Sequence, residues 1–307
     1  EDVPDPGQLR AAAARFRARP SSVACLQARL LIDHLETNWL SLMFGLDYAA
    51  LFGVIKPGLA TLRLPLPLGG TSNHFRTAAL RRAGGWDAWN VTEDIDLGFR
   101  LARLGYSIEA LDSTTYEEAP LTLARWLPQR SRWLKGWMVT LMVHTRQPRR
   151  LFRELGPCGG AAVTLSLLGT ISSSLLGPLF GPLALYAIWR GGWFSPVSLS
   201  AAMAGSASLY LLVAGAASVV WPQFIVLWRL RRPDLLVWSL TLPVYLMLVS
   251  VAAWCAVAEV IMEPQRWNKT EHGFAERPSL AEAGTAVAAA ADQAAIFHAP
   301  RPLSLMS

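Results

Sequence analysis

Three stretches without a single charged side chain do most to limit what this sequence can fold into. Residues 156–189, 191–228 and 235–258 contain no Asp, Glu, Lys or Arg. A helix crossing a bilayer needs about 20 predominantly apolar residues, and the first two stretches exceed that comfortably. They predict membrane spans at about 160–189 and 199–228. The chain as a whole is 16% charged, where a soluble domain carries about 25%. Gly177-Pro178 and Gly181-Pro182 are expected to kink or divide the first span.

The cations orient these segments. Lys135, Arg146, Arg149, Arg150 and Arg153 precede the first span, Arg190 lies alone between the two, and Arg229, Arg231 and Arg232 follow the second. The positive-inside rule places the N-terminal region and the 229–234 loop in the cytoplasm, with Trp189, Trp193 and Phe194 in an outer aromatic belt. Arg266 and Lys269 follow the third stretch, so both its flanks favour the same side. It is therefore expected to form an interfacial or re-entrant helix over 235–261, bent by Pro243, with Glu259 and Glu263 near its exit; a third span is the alternative. The expected location is the inner cell membrane, multi-pass, with the N-terminal part cytoplasmic.

Residues 1–120 have a mixed α/β pattern. Strands are expected at 23–30 and 107–111, a helix at 32–52, an extended run at 62–68 and a helix at 92–104. In the last of these, Leu97, Leu101 and Leu104 form an apolar stripe and Gly105 supplies the stop. Residues 1–154 would then form one α/β unit with interface helices, 155–263 the membrane region, 264–275 a polar loop and 276–307 a disordered Ala-rich tail. The net charge of +6 does not demand nucleic acid, and none is expected as a partner. Cys25, Cys158 and Cys255 lack disulfide or zinc spacing. The start at Glu1 has no signal-peptide pattern and is expected to lie within a domain.

Three polar clusters could carry chemistry. Thr92-Glu93-Asp94, with Asp96, opens a helix, where acids complement the dipole and Asn90 or Thr92 can cap. The chemical alternative makes Asp94 a general base, with Glu93 and Thr92 holding its geometry. Gln129-Arg130-Ser131-Arg132-Trp133 suits a surface-lying amphipathic helix. It equally suits a guanidinium that stabilises a diphosphate leaving group, with the Gln129 amide beside it and Trp133 offering a flat face to a sugar. The third cluster runs from Gln265 to Gly273 and includes Lys269, Thr270 and His272; it is a basic flanking loop or a lid. Gly69-Gly70 is a tight turn or a surface that a ligand approaches closely. His34, His74, His144 and His298 take no role from spacing and are expected at the surface or in packing.

In this order the clusters resemble the later part of a membrane-integrated, processive family 2 glycosyltransferase of the bacterial cellulose synthase kind. The matching strings are E-D-V-P-D-P at 1–6, G-G-T-S-N-H-F-R at 69–76, T-E-D at 92–94, Q-R-S-R-W at 129–133 and K-T-E-H-G at 269–273. The resemblance implies the C-terminal portion of an α/β GT-A domain followed by α-helical transmembrane segments. The implied activity is transfer of a sugar, with inversion, from a nucleotide-sugar donor such as UDP-glucose to a growing β-linked polysaccharide. Asp94 would be the base, Gln129, Arg130, Arg132 and Trp133 would meet the donor diphosphate and the acceptor, and Lys269, Thr270 and His272 would belong to a gating loop. Glu1 and Asp2 would fall at the metal motif for Mg²⁺ or Mn²⁺, with Glu1 replacing the usual Asp. A chain holding only this portion is expected to be inactive alone. The alternatives are a non-processive enzyme adding one sugar to a lipid acceptor, and a non-catalytic membrane scaffold or transport subunit.

Overall fold

The structure is a computed structural model that describes residues 2–33, 35–189 and 199–263. It opens with a short strand β1 (Val3–Pro4), helix α1 (Gln8–Arg17) and the long strand β2 (Val23–Asp33). Helix α2 (Trp39–Ala50) continues through a π-helical turn at Leu51–Ile55 into α3 (Lys56–Thr61). Strand β3 (Asn73–Phe75) and helices α4 (Thr77–Arg82) and α5 (Glu93–Arg103) lead to strand β4 (Ser107–Glu118). Three long helices follow: α6 (Leu123–Thr145), α7 (Pro148–Trp189) and α8 (Leu199–Arg229). A 3-10 segment, Pro233–Thr241, then leads into α9 (Leu242–Met262).

The four strands form one mixed sheet in the order β1-β4-β2-β3. β2 and β4 are parallel, while β1 and β3 join antiparallel at the edges. This mixed α/β unit followed by long apolar helices has the architecture of a GT-A portion with membrane helices. The β2–β4 pairing extends beyond the expected ends of both strands, through Ile32 opposite Glu117 and Asp33 opposite Glu118. Ile32 is therefore strand, not the start of a helix as its apolar spacing suggested. The helix begins only after Asn38, whose side chain accepts from the Ser41 N–H while the Ser41 hydroxyl accepts from the Asn38 N–H.

Helix α5 is tied tightly to the rest of the unit. A Cβ on Gly98 would lie 2.4 Å from the Leu66 carbonyl oxygen, so only glycine lets the extended 66–68 segment cross there. Gly105, at φ 81°, reverses the chain after α5. Within α7 the break in helical geometry falls at Gly156, with φ 71° and ψ 174°, not at Gly177-Pro178. A helix can carry Gly-Pro without breaking when its neighbours hold it.

Three helical stretches among the described residues are long and apolar enough to cross a membrane: Trp39–Thr61, Pro148–Leu179 and Pro233–Met262. The first of these is 67% buried within the protein. It contributes Leu42, Met43, Phe44 and Leu46 to a core shared with Trp126 and Leu134 of α6 and with Tyr245, Ala252 and Ala256 of α9. Helix α9 runs alongside α6 in the same direction. Tyr245 packs on Trp126, Ser131 donates to Glu259 at 3.0 Å, and Lys135 donates to the Glu263 carbonyl at 2.7 Å.

Candidate active site

One cavity of about 520 Å³ gathers residues that lie far apart in sequence. Thr92, Glu93 and Asp94 line it from the N-terminus of α5, and Gln129, Arg130, Arg132 and Trp133 line it from α6. Asp2 lines it from the segment before β1. Gln129, Arg132 and Trp133 share a helix face because positions three and four apart are neighbours. Glu1, Lys269, Thr270 and His272 lie outside the described residues.

The first-turn acids of α5 divide between two tasks. Asp96 turns inward, only 2% exposed, and accepts from Arg100 Nε at 2.6 Å and from His144 Nε2 at 3.0 Å. Arg103, which can only donate, meets His144 Nδ1 at 3.2 Å. That contact makes Nδ1 the acceptor and leaves Nε2–H to donate to Asp96. Burial alone would push Asp96 upward, but the His144 and Arg100 contacts outweigh it and hold the carboxyl below its ordinary range. His144 is therefore a buried link between α5 and α6, a role that its spacing did not reveal.

Asp94 instead faces the cavity. Burial, reinforced by the Glu93 charge, pushes its carboxyl up to about 6, against the backbone N–H of Ile95 and the charge of Lys56, which pull it down. A carboxylate raised this far is poised to take a proton near neutral pH. Gly70 lies beside it: a Cβ there would be in van der Waals contact with Asp94 Oδ2, at 3.7 Å. Thr92 is buried, with its N–H donated to Asn90 Oδ1 at 3.1 Å, and Asn90 in turn donates to Thr140 of α6 at 2.9 Å.

The α6 side is cationic. Arg132 donates weakly to the Val91 carbonyl at 3.4 Å, while its buried Nε has no hydrogen-bond partner among the described residues. The Oε1 of Gln129 is also buried, with no hydrogen-bond partner among the described residues. Burial pulls the Arg132 guanidinium below its ordinary value, and Glu93 and Asp94 oppose this. Buried polar atoms without partners carry a desolvation cost that a polar ligand would relieve. Trp133 packs at 5.9 Å centroid distance, with tilted rings, against both Phe44 and Tyr48. Arg130 is differently engaged. It reaches Asp47 Oδ2 at 2.6 Å and the Tyr245 hydroxyl, and it lies 5.3 Å from the centre of the Trp133 ring.

Sequence reasoning passed over other residues of the cavity wall. Lys56, Asp47, Tyr48 and Glu117 line it, and Thr170 of α7 with Ser218, Pro222 and Gln223 of α8 extend it between α7 and α8. Lys56 and Asp47 were visible as the only charges in the run 39–61. Among the described residues no group of three or more His, Cys, Asp or Glu is arranged to hold a metal ion. Asp2 and Glu117 offer the hard oxygen donors that Mg²⁺ or Mn²⁺ accepts, so a cation there would need further oxygen ligands.

Comparison with known proteins agrees with this architecture. The chain is 37% identical over 86 residues to a probable glycosyltransferase, YdaM, of Bacillus subtilis (strain 168), covering 28% of this chain and 20% of that protein. It is 28% identical over 155 residues to glucomannan 4-beta-mannosyltransferase 1 of Oryza sativa subsp. japonica, covering 50% of this chain and 27% of the relative. A probable glucomannan 4-beta-mannosyltransferase 1 of Arabidopsis thaliana is 27% identical over 153 residues, 50% of this chain and 26% of the relative. The chain thus spans a fifth to about a quarter of the length of these curated relatives. The family described as glycosyl transferase family group 2 matches residues 1–258, nearly the whole described structure, and the chain belongs to that family of glycosyltransferases.

Proposed function

We propose that this chain forms the acceptor-side catalytic and membrane portion of an inverting glycosyltransferase that moves a sugar from a nucleotide-diphosphate donor to a growing β-linked polysaccharide at the cytoplasmic membrane face. The observation that carries this reading is the cavity that joins the Asp94 carboxylate to the unpartnered Arg132 and Gln129 atoms and continues between α7 and α8.

Each group has a defined task. The acceptor hydroxyl oxygen bonds to the anomeric carbon as its proton passes to an oxygen of Asp94. The bond from that carbon to the donor diphosphate breaks, and the electron pair leaves with the phosphate. Arg132, with Gln129 beside it, offsets the charge that develops on the leaving group. Trp133, held by Phe44 and Tyr48, presents a flat apolar face to the acceptor sugar. Asp2, with Glu1, is the place for a divalent cation, which when bound supplies further charge neutralisation at the diphosphate.

Helix α9 packs along α6, and its end at Glu263 is fastened to Lys135, two residues beyond Trp133. Lys269, Thr270 and His272 of the polar stretch 264–275, which lies outside the described residues, would close over the nucleotide.

Processive synthesis is favoured over a single transfer to lipid by the polar lining that Thr170, Ser218 and Gln223 supply among membrane helices. Pro222 lacks the N–H that would bond the Ser218 carbonyl within α8. Membranes containing the full-length protein test the proposal when supplied with radiolabelled UDP-glucose, UDP-N-acetylglucosamine or GDP-mannose and a divalent cation. The last donor is included because the plant relatives are named for mannosyl transfer. A long labelled polymer is expected. A singly glycosylated lipid would move the protein to the non-processive class, and no transfer from any donor would leave a scaffold or transport role.

A further inference from the structure

Lys56 is a buried lysine, 6% exposed, in the wall of the active-site cavity, and neither the family motifs nor the mechanism above uses it. It opens α3 after the π-helical turn, where the wider helical geometry redirects the following side chains. Its ammonium donates to Gln27 Oε1 at 3.1 Å and lies 4.0 Å from the centre of the Phe52 ring. Gln27 is itself held by Asn73 at 2.9 Å, so the cation is fixed in place.

Two adjacent glycines relate Lys56 to Asp94. A Cβ on Gly69 would lie 3.3 Å from Lys56 Nζ, and a Cβ on Gly70 would lie 3.7 Å from Asp94 Oδ2. The Gly69-Gly70 turn is thus flanked by the two charges, and they interact electrostatically. A side chain at Gly69 would press on Phe52, Gln27 and Lys56, whereas a Cβ at Gly70 would only touch Asp94.

We propose that Lys56 is a positioning residue for the base: its ammonium, fixed beside the Gly69-Gly70 turn, holds Asp94 in the charged, proton-accepting form inside a cavity that otherwise disfavours charge. This rests on the reading of Asp94 as the base. The groups facing Asp94 are Glu93 on its own helix, Lys56 from α3 and Arg132 from α6; those facing Lys56 are Asp94, with Cys25 and Gln27 of β2. Burial, and after it the Glu93 charge, drive Asp94 toward its neutral form; the backbone N–H of Ile95 opposes them, and among the charged side chains Lys56 does so. Arg132 faces Glu93 as well as Asp94. Without Lys56, Asp94 should take up its proton at higher pH.

Carbodiimide labelling tests this, because the reagent attacks protonated carboxyl groups. Full-length protein in membranes is labelled with a carbodiimide and an amine across pH 5–9, and the Asp94 adduct is quantified by peptide mass spectrometry, which resolves it from Glu93. In Lys56→Met the labelling midpoint is expected to move up by about one pH unit, and in Lys56→Arg to stay near that of the parent. The acid limb of sugar transfer should move by the same amount, with roughly tenfold loss below it and recovery at higher pH. Coinciding midpoints in the parent and Lys56→Met overturn the proposal; Lys56→Gln supplies the comparison if the methionine variant fails to insert. Labelling decides independently of turnover, so a shifted midpoint with no transfer from any donor would remove the glycosyltransferase reading and keep the electrostatic one.

Discussion

Gly136 of α6 lies directly against Thr92 at the start of α5. A Cβ at Gly136 would stand 2.1 Å from Thr92 Oγ1 and 2.4 Å from its Cγ2. The helix carrying Gln129, Arg132 and Trp133 is thus seated on the residue two positions before Asp94, without any intervening side chain. Gly136→Ala is expected to force α5 and α6 apart at a cost of about 1–3 kcal/mol. Transfer should fall by roughly a hundredfold through misplacement of Asp94 against the donor groups. The check is sugar incorporation per inserted protein, compared with an alanine at the open position Gly169, where nothing lies within 4 Å.

Asp94→Asn removes the proton acceptor with almost no change of shape. Loss of transfer by about 10²–10⁴-fold is expected, with membrane insertion intact. In the parent protein the base works only when ionised, and its carboxyl is raised to about 6. The rate should therefore decline as pH falls through that value and level off above it. A pH–rate profile from 4.5 to 8 measures this, and a rate that stays flat down to pH 4.5 would remove Asp94 from the role.

Arg132→Lys keeps a positive charge but loses the planar fork. A guanidinium can donate through two parallel N–H groups to one phosphate, and an ammonium cannot. The variant is expected to lose about 10²-fold in kcat, with a smaller change in KM, as for the loss of a donor aimed at developing charge. Steady-state kinetics with varied donor decides the split.

Arg130 bonds Asp47 and Tyr245, linking α6 to α2 and α9. Arg130→Met should lower stability by about 1–3 kcal/mol and leave the donor KM within roughly threefold of the parent. Thermal unfolding in detergent and donor titration together test this. A large rise in KM at unchanged stability would return Arg130 to the donor site.

Asp96 supplies a pH-dependent part of the stability. Its folded value is depressed, so the contribution is complete above the unfolded carboxylate value of about 3.9 and is lost as pH falls through the lower folded value. His144→Ala should cost about 1–3 kcal/mol by taking away one partner of this buried carboxylate. Melting temperatures between pH 7 and pH 3 check both: the acid decline of the parent should be shallower in Asp96→Asn.

Removal of divalent cations should stop transfer, with restoration by Mg²⁺ or Mn²⁺. Asp2→Asn is expected to raise the cation concentration needed for half-maximal rate about tenfold. Activity persisting in excess chelator would exclude Asp2 from a metal role.

The sequence alone displayed the charge-free helical stretches and the polar clusters, because exclusion of charge over twenty or more residues and T-E-D followed by Q-R-S-R-W are local properties of the chain. Of the expected spans at 160–189 and 199–228, only the first overlaps a described helix long and apolar enough to cross, while Trp39–Thr61, not expected as a span, and Pro233–Met262, expected as interfacial with a span as the alternative, also reach that length. It also held the strand 23–30, although β-pairing with β4 carried that strand on to Asp33. Only the tertiary structure decided which first-turn acid faces the cavity. Asp94 and Asp96 are two residues apart on one helix, and the buried His144 and part-buried Arg100 claim Asp96 while Asp94 faces the cavity beside the Gly69-Gly70 turn. The same holds for Lys56, whose neighbours in sequence are apolar and whose partners come from β2 and α5. Patterning fixes which faces are apolar, but a site is made by side chains from separate elements, and their meeting depends on how closely the backbones approach. Here that approach is set by Gly98 and Gly136, where only a missing side chain lets the elements touch.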